Sequence, residues 1–329
     1  MRHNFTIKSV NSPFEDSAFF VRNVYKRQAF LLDCGRLGNI KNTEVLSVSD
    51  IFISHTHIDH FYGFDRILRS FLRSEKKVRL FGPLGIIKNI EGKLASYTWN
   101  LVENYTFSLE VVELNNTGSY RTALYAAKNR FKPFYGVYTA DVINLGDGFT
   151  LEFEFFDHGI PTVGYRIKEF IHVNIKKDEL DKYGYLPDPW LNELKSRLRA
   201  GENIENPINV KTVKGIIKTT LGELEKRLVI YKPPQDISYI TDFAPTYENY
   251  SKAVKFAYNS YILLIEGMFL KEDILHAIDK KHSSLELSKG IFLNSHSKHV
   301  RFFHFAPKYA KNKEEFFKRL YNGIADRVI

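Results

Sequence analysis

Ser54-His55-Thr56-His57-Ile58-Asp59-His60 decides how this chain is read. Three histidines and an aspartate fall within six positions, straight after the apolar run Ile51, Phe52 and Ile53. Behind them Phe61, Phe64, Ile67, Leu68, Phe71 and Leu72 recur at three- and four-residue spacing. The stretch predicts a strand, a tight polar loop and an amphipathic helix. Side chains alternate along an extended chain, so His55 and His57 project to one side. Asp59 and His60 follow where the chain bends and approach the same point from another direction. Imidazole and carboxylate converging on one point suit Zn²⁺ or a similar divalent ion. A lone histidine beside an apolar strand is ordinarily a hydrogen-bonded core or surface residue. Three in this pattern, with an aspartate, outweigh that reading. Ligands beyond those one tetrahedral zinc accepts would point to two metals.

The composition bounds what surrounds this loop. The chain has 329 residues, 44% of them hydrophobic, enough for one large domain or two smaller ones. Its net charge of +9 and pI near 9.2 favour an anionic partner such as nucleic acid without specifying one. With one cysteine, Cys34, an intrachain disulfide and a cysteine-rich zinc site are both excluded. Any zinc must be held by His and Asp. Met1 to Asn4 open without the apolar core of a signal peptide, and no apolar stretch approaches the roughly 20 residues of a membrane helix. A soluble, cytoplasmic protein without a membrane partner is expected.

Outward from the loop, strands are expected at Phe19–Val21 and Ala29–Leu32, the latter closing on Asp33-Cys34-Gly35. Val45 to Ile53 leads into the loop. Val78–Phe81 reads as a strand, Leu84 to about Tyr97 as a short helix, and residues 106–156 as mostly strands with Gly146-Asp147-Gly148 as a hairpin turn. Residues 168–235 are dense in lysine and arginine. A helix is expected there with Asp188 as cap, Pro189 first, Leu191, Leu194 and Leu198 on one face and Gly201 as stop. A second helical pattern lies near 214–229. Apolar strands return at Ile237–Ile240, Tyr261–Ile265 and Val300–Phe303, with Ser283 or Ser284 capping a helix between the last two. A closing helix carries Phe316, Phe317, Leu320, Tyr321 and Ile324. The mixture predicts α/β layering. Four strands end in potential ligands: His55 and His57, His158, Asp242, and His304. Rigid sheets commonly present chemistry through such ends.

This set resembles the metallo-β-lactamase fold superfamily, whose mark is the H-x-H-x-D-H loop, here residues 55–60. Within it the chain is similar to the ribonuclease Z branch of tRNA 3′-end endonucleases. His158 with Gly164-Tyr165-Arg166-Ile167, Lys281-His282-Ser283-Ser284, and the run from Arg301 through His304-Phe305-Ala306-Pro307-Lys308-Tyr309 carry that likeness. Phe81-Gly82-Pro83 and Glu266-Gly267-Met268-Phe269 add to it. The resemblance implies a four-layer αββα sandwich spanning 1–329 as a single domain, with an inserted basic, largely helical arm at 170–235. It implies two Zn²⁺, with Mn²⁺ as an alternative. One metal would sit on His55, His57 and His158, the other on Asp59, His60 and His304, with Asp242 bridging. Asp59 would orient or deprotonate water to give a dimetal-bound hydroxide. His282 would donate a proton to the leaving 3′-oxygen, with Glu266 as its orienting partner. Lys195, Arg197, Arg199 and Lys308 are the expected substrate contacts. A homodimer acting on precursor tRNA is implied.

Two departures bear on the substrate. Residues 6–16 lack the family's opening glycine-rich turn. The family's arm has a glycine- and proline-rich tip, whereas this chain places Tyr185-Leu186-Pro187-Asp188-Pro189-Trp190 and a basic helix there. The expectation is therefore a metal-dependent phosphodiesterase, read first as an endoribonuclease removing the 3′ trailer of precursor tRNA. A phosphodiesterase for small substrates such as cyclic nucleotides is the alternative, and a non-catalytic metal-bound scaffold the third reading.

Overall fold

The computed structural model describes residues 5–24, 28–146, 148–169, 172–232 and 234–329. Met1 to Asn4, where a signal peptide was sought, and Asp147 of the expected hairpin turn lie outside the described residues. The chain divides into two compact units, residues 1–143, 152–166 and 237–329 in the first and 144–151 with 167–236 in the second.

The first unit begins with an eight-stranded sheet in sequence order. Its strands are β1 (Phe5–Ser9), β2 (Phe19–Asn23), β3 (Ala29–Leu32), β4 (Val48–Phe52), β5 (Lys77–Gly82), β6 (Ser108–Glu113), β7 (Ser119–Ala126) and β8 (Pro133–Thr139). β3 to β6 run parallel and the flanking pairs antiparallel. Parallel neighbours need crossovers, supplied by helices α1 (Asn42–Ser47), α2 (Ile58–Phe61), α3 (Phe64–Phe71) and α4 (Ile86–Ala95). Val45 was expected to lie on an extended lead into the loop. It sits instead on α1, where the Glu44 carboxylate accepts from the Lys41 N–H at 2.8 Å and starts the turn. The strand begins three residues later.

Alternation sorts the side chains into layers. On β3 and β4, Ala29, Leu31 and Ile51, with Ile53 just past the strand, join the cluster shared with Phe64, Ile67, Leu68 and Phe71 of α3 and Ile86, Ile87 and Ile90 of α4. The intervening Phe30 and Phe52 turn to the opposite face, their ring centroids 6.0 Å apart.

β9 (Ile143–Gly146), β10 (Phe149–Asp157) and β11 (Pro161–Glu169) follow. The second unit holds β12 (His172–Ile175), α5 (Lys177–Lys182), α6 (Trp190–Arg199), β13 (Pro207–Thr212), β14 (Gly215–Thr220), α7 (Leu221–Leu228) and β15 (Val229–Lys232) around a core that includes Trp190, Leu194, Leu198, Val210, Leu221, Leu224 and Leu228. The segment is mixed where a largely helical arm was expected. Residues 215–220 form a strand paired with β13, because Ile216, Ile217, Thr219 and Thr220 are β-branched and Gly215 sits at φ +115°. The helix starts only after Thr220, whose Oγ1 accepts from Glu223 N at 3.3 Å. Asp188 does not cap α6; its carboxylate accepts from Lys211 Nζ at 2.9 Å, and Pro189 directly precedes the helix. Gly201, at φ +66°, follows the helix end as expected.

Back in the first unit come β16 (Ile237–Ile240), α8 (Tyr247–Phe256), β17 (Ile262–Glu266), α9 (Ile274–Lys280), α10 (Leu285–Asn294), β18 (His299–Phe303) and α11 (Lys313–Tyr321). The second sheet runs β18-β17-β16-β11-β10-β9, with β16, β17 and β18 parallel. Its outer face packs on Ala253 and Ala257 in and beside α8, Leu285, Ile291 and Phe292 of α10, and Phe316 and Leu320 of α11. Its inner face meets the first sheet through rings: Phe52 lies 5.3 Å from Tyr165, and Phe19 lies 4.8 Å from Phe303. Helices, sheet, sheet, helices is the four-layer αββα arrangement. No helix among the described residues is long and apolar enough to cross a membrane.

Candidate metal centre

β4 runs into the loop under tight backbone control. Ile53 N donates to Phe81 O at 2.8 Å, Tyr165 Oη donates to Ile53 O at 2.6 Å, and Val163 N donates to Ser54 O at 2.9 Å. His57 is extended and opens the single turn of α2, which turns Asp59 and His60 back toward His55. The turn is clasped from behind: Cys34 N donates to His60 O at 2.8 Å and Gly63 N to Cys34 O at 2.7 Å. That closeness requires glycine at 35, where a Cβ would lie 2.1 Å from Asp59 O.

Other strand ends complete the cluster. His158 follows β10, Asp242 follows β16 by two residues, and His304 follows β18. Asp242 and His304 hold left-handed backbone at φ +48° and +60°, as does Asp33 at +54°. Such backbone is unfavourable for these residues by about 1–3 kcal/mol each and concentrates at functional sites. Ligand atoms of His55, His57, His158 and Asp242 all lie within 4.8 Å of one another, and so do those of Asp59, His60 and His304. Asp242 Oδ2 stands 3.6 Å from His55 Nε2, 3.4 Å from His60 Nε2 and 3.7 Å from His158 Nε2. Asp59 Oδ2 stands 3.4 Å from His60 Nε2 and 3.5 Å from His304 Nε2.

The far sides of the rings are held. His60 Nδ1–H donates to Asp33 Oδ2 at 2.7 Å, and His158 Nδ1–H to the Lys281 carbonyl at 2.7 Å. Ser54 Oγ lies 3.1 Å from His55 Nδ1 and Ser17 Oγ 3.0 Å from His304 Nδ1. Asp33 also accepts from Ser54 N at 2.7 Å, Ser54 Oγ at 2.7 Å and Tyr239 Oη at 2.6 Å. Outer contacts of this kind fix the tautomer and aim of metal-binding histidines. Nε2 of His55 and of His60 are buried with no hydrogen-bond partner in the structure. Buried polar atoms are ordinarily satisfied, so these two nitrogens, facing carboxylates at 3.4–3.6 Å, fit a divalent ion.

Electrostatics agrees at His55, Asp242 and Asp59. Burial, reinforced by the charge of His60, pushes His55 down to about 2, so it is neutral and able to coordinate. Burial would raise Asp242, but the charges of His304 and His60 hold it well below the carboxylate range. Asp59, against its own burial, is likewise held low by the close approach and charge of His60 and by the charge of His304. Burial would lower His60, yet Asp242 and Asp33 raise it well above its ordinary value.

No family model matches the chain. A ribonuclease Z of Nanoarchaeum equitans is 28% identical over 304 residues, covering 91% of this chain and 81% of that protein. The metallo-β-lactamase fold protein YhfI of Bacillus subtilis superposes with a TM-score of 0.53 at 12% identity, over 97% of this chain and 93% of its own. The short form of human tRNase Z superposes with a TM-score of 0.51 at 16% identity, over 93% of each chain. The chain has the metallo-β-lactamase fold and is similar in sequence to ribonuclease Z.

His282 lies next to the cluster, its Nδ1 2.9 Å from Glu266 Oε2 and 3.9 Å from Asp242 Oδ2. Burial lowers its pKa, but the Glu266 carboxylate and Asp242 together outweigh burial and lift it to about 9. Glu266 Oε1 accepts from the N–H groups of Phe243 and Ser283, both at 3.0 Å, so one buried carboxylate fixes His282 and the two flanking loops. Lys308 is exposed, ion-paired to Asp273 at 2.9 Å, and stands over the Phe269 ring. The three basic residues of α6 belong to the second unit. Arg197 binds Glu193, Glu202 and the Pro207 carbonyl, so its fork serves that unit's own structure. Lys195 is half-buried, its pKa lowered by burial and then by Arg199. Asp33, Ser17, Ser54 and Tyr239 carried no recognised role in the sequence. The available signal for Asp33 was an acid closing the wholly apolar strand Ala29–Leu32.

Proposed function

We propose that this chain is a metal-dependent endoribonuclease that removes the 3′ trailer of precursor tRNA. The observation that carries the reading is the pairing of seven clustered His and Asp ligands with the adjacent His282–Glu266 pair at 2.9 Å, in a ribonuclease Z-like chain. The Nanoarchaeum relative is named a ribonuclease Z and the human neighbour a tRNase Z, which supports RNA as substrate.

His55, His57 and His158 would hold one metal, Asp59, His60 and His304 the other, and Asp242 would bridge them. Two Zn²⁺ suit this donor set, with Mn²⁺ also acceptable. When bound, they supply Lewis acidity toward phosphoryl oxygen and lower the pKa of water. Hydrolysis joins the oxygen of water to phosphorus and breaks its bond to the 3′-oxygen. Asp59, held ionised, orients the attacking water and accepts its proton. His282, held protonated by Glu266, donates to the departing 3′-oxygen.

The second unit supplies basic surface. Lys176, Lys182, Lys226 and Arg227, with Glu179 and Glu223, line a hollow of about 480 Å³. Phosphate contacts there would make affinity fall steeply with salt. Homodimerisation and a cytoplasmic setting belong to the same reading.

Metal-loaded protein would be offered a precursor tRNA, bis(p-nitrophenyl) phosphate and cyclic nucleotides, with His282→Ala as control. Cleavage at the trailer junction, lost in His282→Ala, is expected. Turnover of the small diesters alone would discard tRNA and keep a phosphodiesterase. No turnover of any substrate would leave a scaffold.

A further inference from the structure

Lys280, Lys281 and Lys308 belong to the segments that carry His282 and His304. Two of them have carboxylate partners: Lys280 pairs with Asp279 at 3.1 Å and Lys308 with Asp273 at 2.9 Å. Lys281 is exposed, and its ammonium makes no ion pair or hydrogen bond among the described residues. Everything else about this residue is fixed. It ends α9 in left-handed backbone at φ +56°, a place that helix ends normally give to glycine because a Cβ is unfavourable there. Its carbonyl accepts from His158 Nδ1–H at 2.7 Å, and His282 follows it directly. One residue thus ties a candidate metal ligand to the proposed proton donor, their ring centroids 4.7 Å apart. The stem of Lys281 lies across Gly159, where a Cβ would fall 2.8 Å from Lys281 Cδ and 3.1 Å from Cε. Gly159 is itself held, at φ +78° with its N–H donating to Asp157 Oδ1 at 2.7 Å. A cation at a helix C-terminus can serve the helix alone, through the last carbonyls and the dipole. Here the stem rests on the turn after His158 instead, and among the described residues no carbonyl accepts from the ammonium.

We propose that Lys281 is a substrate-binding residue whose ammonium contacts the phosphate flanking the scissile one in an RNA chain. The inference rests on the endoribonuclease reading and deepens it. Placement decides which phosphate is met. The scissile group must face the candidate ligands and His282, and His158 and His282 are both buried. Gly159 and Lys281 are each one residue further along and exposed, so the ammonium meets the next diester outward. Lysine suits that contact, because a compact charge on a flexible stem binds phosphate without fixed bidentate geometry. The left-handed backbone then has a use. It lets one residue turn its carbonyl to His158 and lay its side chain along the neighbouring turn. Glycine at 281 would keep the carbonyl and lose the charge.

The test separates the charge from the backbone, with metal-loaded full chain and a precursor tRNA across a series of KCl concentrations. Lys281→Gly removes the ammonium and suits left-handed backbone better than lysine does, so it should melt no lower than wild type. Its KM is expected to rise about tenfold at low salt with kcat little changed, as when binding common to ground and transition states is lost. The slope of log KM against log salt should shrink by about 0.7–0.9, the share of one phosphate contact. Lys281→Arg keeps the charge and should keep the wild-type slope. A lysine that served only the helix end would behave otherwise, with Lys281→Gly handling RNA as wild type does. A KM or a salt slope unchanged in Lys281→Gly, while wild type cleaves, overturns this inference and leaves the nuclease reading standing. Wild type that leaves precursor tRNA uncut at low salt overturns the nuclease reading, and this inference with it.

Discussion

His60 Nδ1 and Asp33 Oδ2 lie 2.7 Å apart, both side chains wholly buried, across 27 positions of sequence. Asp33 thereby fixes which nitrogen of His60 faces Asp59 and Asp242. Asp33→Asn keeps the shape but loses one of the two charges that make His60 basic. Metal affinity is expected to fall about 10–100-fold, measured by chelator competition. Unchanged affinity would mean Asp33 serves folding alone.

Glu266 does for His282 what Asp33 does for His60. With its pKa lifted to about 9, His282 keeps its proton at neutral pH and loses it as pH rises through that value. Activity should therefore decline on the alkaline side near pH 9. Glu266→Gln removes the larger raising charge and leaves burial, which lowers the pKa, opposed only by the more distant Asp242. The decline should move toward neutrality by roughly two pH units. His282→Ala should lose about 10²–10⁴-fold in kcat. A pH profile unmoved by Glu266→Gln would remove His282 from the proton-donor role.

Gly35 has no room for a methyl group: a Cβ there meets Asp59 O at 2.1 Å and Asp16 Cβ at 2.5 Å. Gly35→Ala is expected to cost about 1–3 kcal/mol of stability and to lower metal loading by displacing Asp59. Denaturant unfolding with metal analysis reads both effects, and a variant that binds metal normally would show the loop to be softer than its packing.

Metal removal should destabilise the fold, since it strands the Nε2 atoms of His55 and His60 and leaves Asp59 and Asp242 beside them uncompensated. Adding Zn²⁺ to stripped protein at about 100-fold over Kd should restore about 2.7 kcal/mol. Calorimetric melting with and without metal measures it. Identical melting temperatures would argue against a metal at this cluster.

The cluster of candidate ligands and its frame were legible in the sequence. H-x-H-x-D-H behind an apolar strand, and His158, Asp242 and His304 each closing another, are local patterns: side-chain period and strand termination act over a few residues. The layers were legible for the same reason, since Ala29, Leu31, Ile51 and Ile53 alternate with Phe30 and Phe52. Tertiary structure alone decided what holds the ligands. Ser17 reaches His304 across 287 positions and Tyr239 reaches Asp33 across 206, and no local period encodes such a pairing. It also decided that residues 215–220 pair as a strand. Strand pairing and burial depend on which segments become neighbours, a property of the whole packed chain.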